Sequence, residues 1–436
     1  MPSEESRTPE EEALIQKLLA QYEVQLRRAL KKKPTTLEQI EDTAEEVGNQ
    51  VKRDIEEQVI RKQGTGDQGP KATCACGQFA RYVSDYPKRW VTRHGEFHID
   101  RAYYYCRACG TGFCPVDARL GLTSGEYSPA VVALSARFAG YLPPRAAVRE
   151  LAEVCGLHLS ATTVRKQAQQ MGMALQEAWQ AEETAFFADP DKEVKARPAQ
   201  LHLTGDGVMV HVDGAWHEAK LGCAYRRGCL GGVESVRYTA TLAKSTQFGK
   251  RFRVLGHVCG ADQCRRVGVV ADGAEWIWQE VGKYYPRRVQ ILDYYHACQH
   301  LWEVAHAAFG EGSEAAEAWM DQQQKRLLAD GVAQVIRAVG SWEPATEIGQ
   351  DVQRRVLAYL RTHERRMQYR TFREQGYHIG SGVAEAGCKA VVQARLKGPG
   401  MRWSQAGAEA MLHLRCAVCS TDRPNFRGLA RQMLAA

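Results

Sequence analysis

The chain has 436 residues, 44% of them hydrophobic and 25% charged, an ordinary balance for a globular protein with a sizeable core. No apolar run is long enough for a membrane-spanning helix, and the acidic, polar start MPSEESRTPEEEALIQ predicts no secretory signal peptide. Fourteen cysteines are too few for a disulfide scaffold at this length, so reduced thiols, some of them metal ligands, are expected. Length alone suggests roughly three units.

The formal net charge of +7 is unevenly spread. Residues 1–70 hold 11 Lys/Arg against 15 Asp/Glu, a net of −4, whereas residues 351–436 hold 15 against 6, a net of +9. The basic end predicts either a surface for a polyanion or a solvated basic face.

In chain order, residues 9–62 read as helix, with Leu14, Leu18, Leu19, Tyr22 and Leu26 at three- and four-residue spacing. Pro34 interrupts the pattern, and Thr35-Thr36-Leu37-Glu38 restarts it as an N-cap would. The polar run from Gly64 to Lys71 reads as a linker.

Cys74-x-Cys76-Gly77 and Cys106-x2-Cys109-Gly110 follow. Two short cysteine pairs, each followed by glycine, fit two knuckles closing one tetrahedral zinc site. Zinc takes four thiolates, and glycine lets each knuckle fold back toward the metal. Residues between the pairs alternate as a hairpin with Gly95 near its turn. Four thiolates leave no open position for water, so the expected zinc is structural. Four unrelated buried thiols are the plainer alternative.

Residues 128–172 read as helix, glycine turn at Gly156, then a helix beginning at Ala161 with Ser160 as N-cap. Arg165 and Lys166 would face outward on the second helix, the layout of a helix-turn-helix DNA reader, though helical bundles produce the same pattern.

In strand-like AQLHLTGDGVMVHVDG the alternating run ends in Asp206-Gly207, AKLGCAYR and SVRYTATLA follow as further strands, and a helix is expected from Thr246 to Cys259. RRVGVVADG then ends a Val-rich strand in Asp272, and RVQILDYYHACQH ends another in Asp293 before a helix bearing His296 and His300. Strands followed by strand–helix alternation predict a mixed α/β sheet with its carboxylates at one edge. Asp-Gly is also an ordinary turn signal, and Asp213-Gly214 is a rival to Asp206; Asp206 is preferred because it follows directly on the first strand, whereas Asp213-Gly214 falls where a hairpin turn belongs. Residues 311–373 return to charged helix. The run IGSGVAEAGCKAVVQARLKGPGMRW opens with a turn and becomes a helix carrying Glu385, Lys389, Arg395 and Lys397, with Arg402 just beyond.

Asp293-x2-His296-x3-His300 lacks the glutamate of a helical metalloprotease motif, so a supporting or DNA-contacting role fits better than zinc ligation. Cys416-x2-Cys419, Trp276, Trp278 and Trp302 read as packing.

VVADGAEWIW, ILDYYHACQHLWEVA and IGSGVAEAGCKAVVQARLKGPGMRWS together resemble the blocks of the ISKra group of bacterial insertion-sequence transposases, relatives of the Mutator-like DDE transposases. The resemblance implies an α/β RNase H-like catalytic core interrupted by a helical insertion. It places the catalytic triad at Asp206, Asp272 and Glu385, which would hold two Mg²⁺ (or Mn²⁺) ions, with Asp293 and His296 as accessory residues. The implied activity is binding of the element's ends followed by DNA strand cleavage and strand transfer. The implied partners are double-stranded DNA, both element ends and target, and a second copy of the chain in a homodimer or higher oligomer. The implied location is the bacterial cytoplasm, on the nucleoid when DNA is bound.

The expected plan is thus a helical arm (1–70), a zinc ribbon (71–120), a helix-turn-helix region (121–185), the first part of the core (195–310), a helical insertion (311–375), and the glutamate helix with a basic tail (376–436). End recognition falls to Arg165 and Lys166, and phosphate contacts to Lys389, Arg395, Lys397 and Arg402. Two other readings keep part of this plan: a non-catalytic DNA-binding regulator derived from a transposase, and a structure-selective nuclease.

Overall fold

The computed structural model describes residues 8–33, 35–121, 124–194, 196, 198–228 and 232–435. Pro34, expected to break the arm, and the first seven residues of the acidic start lie outside them. No helix among the described residues is long and apolar enough to cross a membrane. The chain divides into two compact units, one of residues 1–138, 144–167 and 425–436, the other of residues 139–143 and 168–424.

The first unit opens with α1 (Pro9–Lys31) and α2 (Leu37–Lys62). Thr8 and Glu11 form a reciprocal capping box on α1, and the Thr36 hydroxyl accepts from the Gln39 N–H on α2. Ion pairs Lys62–Glu11 and Lys32–Glu46 close the two ends of this antiparallel hairpin. A four-stranded antiparallel sheet follows, in order β1 (Lys71–Thr73), β2 (Phe79–Thr92), β3 (Gly95–Cys106), β4 (Thr111–Phe113). Gly95 pairs with Thr92 at the tip of the long hairpin, as its position in the sequence predicts. The run read as a linker is instead held on the ribbon. The Thr65 carbonyl accepts from the Ala102 N–H, the Tyr104 hydroxyl donates to Asp67, and a Cβ on Gly66 would come 2.7 Å from the Val116 nitrogen.

Helices α3 (Pro115–Arg119), α4 (Pro129–Tyr141), α5 (Pro144–Cys155) and α6 (Ala161–Ala188) come next. Gly156, at φ 63°, ends α5 in the left-handed region, and the Ser160 hydroxyl accepts from the Thr163 N–H at 3.0 Å to start α6. Instead of ending near Gly172, α6 runs on for four more turns. A Cβ on Gly172 would meet the Ala410 carbonyl oxygen at 2.1 Å, so this glycine serves close packing and not a helix stop.

The second unit is built on a mixed sheet in the order β7 (Val233–Thr241), β6 (Ala215–Arg227), β5 (Gln200–Val212), β8 (Arg266–Ala271), β9 (Val289–Leu292). β5, β6 and β7 are antiparallel, whereas β5–β8 and β8–β9 are parallel. Asp213 and Gly214, both at positive φ, make the two-residue turn between β5 and β6. Helices α7 (Ser245–Val258), α8 (Glu275–Tyr284) and α9 (Tyr294–Phe309) alternate with the later strands. The expected insertion is helical throughout: α10 (Glu314–Leu328), α11 (Val332–Gly340), α12 (Glu347–His363) and α13 (Tyr369–Glu374). The chain then forms α14 (Gly382–Gly387), a π-helical stretch Cys388–Gln393 and α15 (Ala394–Leu396), followed by α16 (Gln405–Cys419); α17 (Phe426–Ala435) returns to the first unit.

Period-2 alternation sorts β5 onto two faces. Leu201 and Leu203 enter the main core with Phe248, Phe252, Val267, Val269 and Ile277. Gly222, paired with Gly205 across β5–β6, leaves room for the Phe248 and Phe252 rings, since a Cβ on it would sit 2.7 Å from Phe252 and 3.2 Å from Phe248. His202, Thr204 and Asp206 point to the other face.

Candidate functional site

Asp206 and Asp272 come together through strand register. Gly205 pairs with Ala271 across the parallel β5–β8 ladder, so Asp206 and Asp272 are neighbours; Asp272 follows the last residue of β8, but the expected strand end at Asp206 is corrected, because β5 runs on through it to Val212, paired with β6. The Asp206 carboxylate accepts from the Gly207 N–H at 2.7 Å, and that of Asp272 from the Ala274 N–H at 3.0 Å. The Trp278 indole holds the Asp272 carbonyl at 2.7 Å.

Glu385 approaches from α14, exposed, on the Asp206 side of the sheet. Glycine sets how closely. Asp206 pairs with Leu221 on β6, and a Cβ on Gly387 would lie 2.7 Å from Leu221 and 2.8 Å from Tyr238. The charge pattern agrees with this convergence. Burial raises the Asp206 carboxyl above its ordinary range, and the negative charges of Asp272 and Glu385 push it the same way, against the opposing Gly207 and Cys388 hydrogen bonds. Three carboxylates therefore share one neighbourhood. Asp213, the rival acid, sits in the β5–β6 turn, where it accepts from the Gln405 N–H and its own N–H binds the Trp403 carbonyl.

Asp293 is buried, 2% exposed, at the start of α9. One carboxylate oxygen accepts from the His296 N–H at 2.9 Å; the other accepts from the Ser381 N–H at 2.5 Å and from the Ser381 hydroxyl. It fastens the turn that launches α14. His296 thus serves Asp293 through its backbone, while its ring lies 5.1 Å from that of His300. His300 is spoken for by Glu303 at 2.9 Å, which in turn binds Arg355.

Two residues of this neighbourhood were not foreseen. Tyr359, on α12 of the insertion, crosses over Gly273, where a Cβ would come 2.1 Å from its ring. Its hydroxyl is buried without a hydrogen-bond partner and feels the charges of Asp272 and Asp293, and burial above all holds its pKa well above the ordinary phenol range. Nothing marks one tyrosine in a charged helix as belonging beside an aspartate far away in sequence. Arg415 donates to the carbonyls of Ala390, Val391 and Gly140, the last at 2.7 Å. It thereby satisfies carbonyls of the π-helical stretch, where the regular ladder is broken.

Cys74, Cys76, Cys106 and Cys109 converge, their sulfurs all within 4.8 Å of one another, as a set able to hold one metal ion. Gly77 at φ 84° and Gly110 at φ 71° turn the two knuckles. The Thr111 hydroxyl and N–H draw the Cys109 thiol down to about 6, assisted by the neighbouring thiols. Four clustered thiols suit zinc. Cys114, outside the set, is buried at the start of α3.

Arg165 and Lys166 are exposed on α6, and Lys389, Lys397 and Arg402 are exposed around the glutamate helix. Arg395 does not join them. It is 1% exposed, its Nε donates to the Ala139 carbonyl at 3.1 Å, and burial lowers its pKa to about 10. The expectation that it contacts phosphate is corrected: a guanidinium spent on a buried carbonyl has no face left for DNA.

Residues 255–426 match a family described as Uncharacterised protein family (UPF0236). The matched segment contains Asp272, Asp293, His296 and Glu385; Asp206 and the four cysteines precede it. No curated protein matches the chain.

Proposed function

We propose that this protein is a DDE transposase of the ISKra group, with an RNase H-like core that cleaves and joins DNA strands at Asp206, Asp272 and Glu385. The observation that carries the reading is the register that sets Asp206 beside Asp272 across β5–β8, with Glu385 near enough for its charge to act on the Asp206 carboxyl, which burial above all raises. The sheet order supports the same fold reading, with three antiparallel strands followed by two parallel ones beside the first. An acid on the first strand, a second on the adjacent parallel strand and a third on a late helix follow the order the resemblance implies.

Carboxylate oxygens are the donors hard divalent cations take, although among the described residues the group whose ligand atoms all lie within 4.8 Å of one another is the four cysteines and not these acids. Mg²⁺ takes oxygen ligands, and crowded carboxylates whose charges oppose one another are relieved by a cation between them. When bound, two such ions supply Lewis-acid activation of an oxygen nucleophile and stabilisation of the leaving oxygen. Asp206, Asp272 and Glu385 would hold them. Asp293, through Ser381, keeps the glutamate helix in place. Lys389, Lys397 and Arg402 would neutralise phosphates next to the scissile bond, and Arg165 and Lys166 would dock the element's ends. In such a site water opens the strand and the freed 3′-hydroxyl attacks target DNA, with no covalent protein–DNA link. The four-cysteine ribbon, holding structural zinc, belongs to the DNA-binding half.

The test is a strand-transfer assay with the full chain, Mg²⁺, a duplex carrying the element's terminal sequence and a target duplex. Joined products are expected from the wild type and none from Asp206→Asn, with binding of the end duplex retained. A wild-type chain that binds ends but neither cleaves nor joins would favour the non-catalytic regulator, and cleavage without joining would favour the nuclease.

A further inference from the structure

The N-terminal hairpin carries an apolar face that is left exposed among the described residues. On α1, Leu14, Leu18, Tyr22, Gln25 and Ala29 are half-buried along one stripe, and the Tyr22 hydroxyl reaches the Val51 carbonyl on α2 at 3.3 Å. About a quarter turn on, in the direction of increasing residue angle, lies a second stripe of Ile15, Leu19, Leu26 and Leu30, all exposed, Leu30 by 77%. α2 repeats the arrangement. Thr43, Val47 and Val51 are half-buried, and about a quarter turn on in the same sense Leu37, Ile55 and Val59 are exposed, Leu37 by 71%. Because the helices run antiparallel, the same rotation on each brings both outer stripes to one face of the hairpin. The zinc ribbon lies on another arc of α2, where Arg53 approaches Gly95 and Glu56 accepts from Thr92. No residue of α2 is fully buried.

We propose that this face packs on the same face of a second copy of this chain, two hairpins closing into a four-helix bundle. Area and charge both favour a self-pairing. The seven outer-stripe side chains expose on the order of 700 Å² per protomer, near the roughly 800 Å² per partner of a standard-size interface. Each helix starts acidic and ends basic: Glu11 and Glu12 against Arg27, Arg28 and Lys31 on α1, Glu38, Glu41 and Asp42 against Arg61 and Lys62 on α2. Two hairpins can be stacked face to face by a two-fold axis either along the helices or across them. In both cases every helix lies over an antiparallel one, so acidic starts meet basic ends. A two-fold interface of this kind is closed and self-complementary. The proposal names the surface of self-association and does not depend on the strand-transfer reading, because its readout needs neither DNA nor metal chemistry.

Sedimentation velocity of the full chain at micromolar concentration tests it. The wild type is expected to be a dimer of roughly twice the chain mass, and the Leu19→Lys/Leu26→Lys variant a monomer with unchanged helical circular dichroism. Val24→Lys, on the opposite side of α1 and also exposed, should remain dimeric. If the lysines unfold the hairpin, Leu26→Ser/Ile55→Ser removes apolar area without adding charge and should weaken the dimer at least tenfold. A monomeric wild type, a dimer that survives both double variants, or a Val24→Lys variant that dissociates as fully as they do overturns the proposal.

Discussion

Asp293 and Ser381, 88 residues apart in sequence, are joined by a single carboxylate oxygen that accepts both the Ser381 N–H and its hydroxyl. A four-residue strand thus fixes the turn from which the glutamate helix starts, across the whole length of the helical insertion. Charge-assisted bonds to a buried carboxylate are short and directional, so this link sets where Glu385 stands relative to Asp206 and Asp272.

Breaking the link should cost stability and catalysis by separable amounts. Asp293→Ala strands the Ser381 and His296 donors and should destabilise the second unit by about 1–3 kcal/mol. Ser381→Ala keeps the backbone bond and should cost about 1 kcal/mol. If the proposed function holds, strand transfer in both variants should fall more than affinity for DNA, because the displaced group is Glu385 and not the basic residues. Denaturant unfolding together with single-turnover cleavage checks this; loss of binding in step with loss of cleavage would contradict the positioning role.

If the proposed strand-transfer activity is right, the three acids act as a unit. Asp206→Ala, Asp272→Ala and Glu385→Gln are each expected to abolish cleavage and joining while leaving DNA binding nearly intact. Measurable strand transfer by any one of them removes that residue from the triad.

Asp206 also gives a pH dependence that can be read without DNA. Its folded-state carboxyl is raised by burial and by its acidic neighbours. The stability it contributes is fully present below its unfolded value and is lost as pH rises through the raised folded value. In chelator, the wild type should therefore lose stability relative to Asp206→Asn over that interval, and Asp206→Asn should melt higher at neutral pH. Mg²⁺ should narrow the gap by stabilising only the wild type. Melting curves at several pH values, with and without Mg²⁺, decide it; an Asp206→Asn variant that melts no higher than wild type at pH 7 in chelator counts against a crowded carboxylate site.

The four-cysteine set predicts about one zinc per chain by elemental analysis, lost in Cys74→Ser or Cys106→Ser. Binding energy at a thiolate site is folding energy, so chelation should loosen the ribbon. If the proposed function holds, cleavage at the carboxylates should suffer only through weakened DNA binding. A full-length chain purified in zinc-containing medium with no bound metal would refute the site.

How much of this was legible in the sequence follows from how local each signal is. The two cysteine knuckles, the Asp213-Gly214 turn and Asp272 just past the end of β8 are written in spacings of a few residues and stand where those spacings put them, whereas Asp206 sits midway along β5, whose length the Asp-Gly signal hid. Asp293 was legible as a strand-end acid, but its partner Ser381 was not, because their contact is long-range and crosses an insertion. Tyr359 and Arg415 left no trace for the same reason. Arg395 misled in the opposite direction. An arginine in a basic stretch near a helix end reads as surface, and only the tertiary contact with the Ala139 carbonyl shows that its guanidinium is used up inside. The stretch read as helical reaches only Gly172, yet α6 continues to Ala188 with that glycine packed close against Ala410.

The exposed and buried arginines give the sharpest separation of binding from packing. Lys397 and Arg402 are exposed, and if they grip phosphate, replacing either with alanine should weaken binding to end and random DNA alike and reduce the salt slope by about one for each phosphate no longer neutralised. Arg165→Ala/Lys166→Ala, on the capped second helix, should instead reduce the preference for end DNA, since part of their grip would be on base edges. Arg395→Ala should change neither slope nor preference at first order. It removes the donor to the Ala139 carbonyl and leaves a cavity, so its effect should be a loss of stability of about 1–3 kcal/mol. Affinities for both DNAs across a salt series, with unfolding curves for the same proteins, distinguish the three outcomes. An Arg165/Lys166 variant that keeps its full preference for end DNA would make α6 a packing helix and shift recognition to the four-cysteine ribbon. An Arg395 variant that folds normally but loses salt-dependent affinity would put that guanidinium back on the DNA surface.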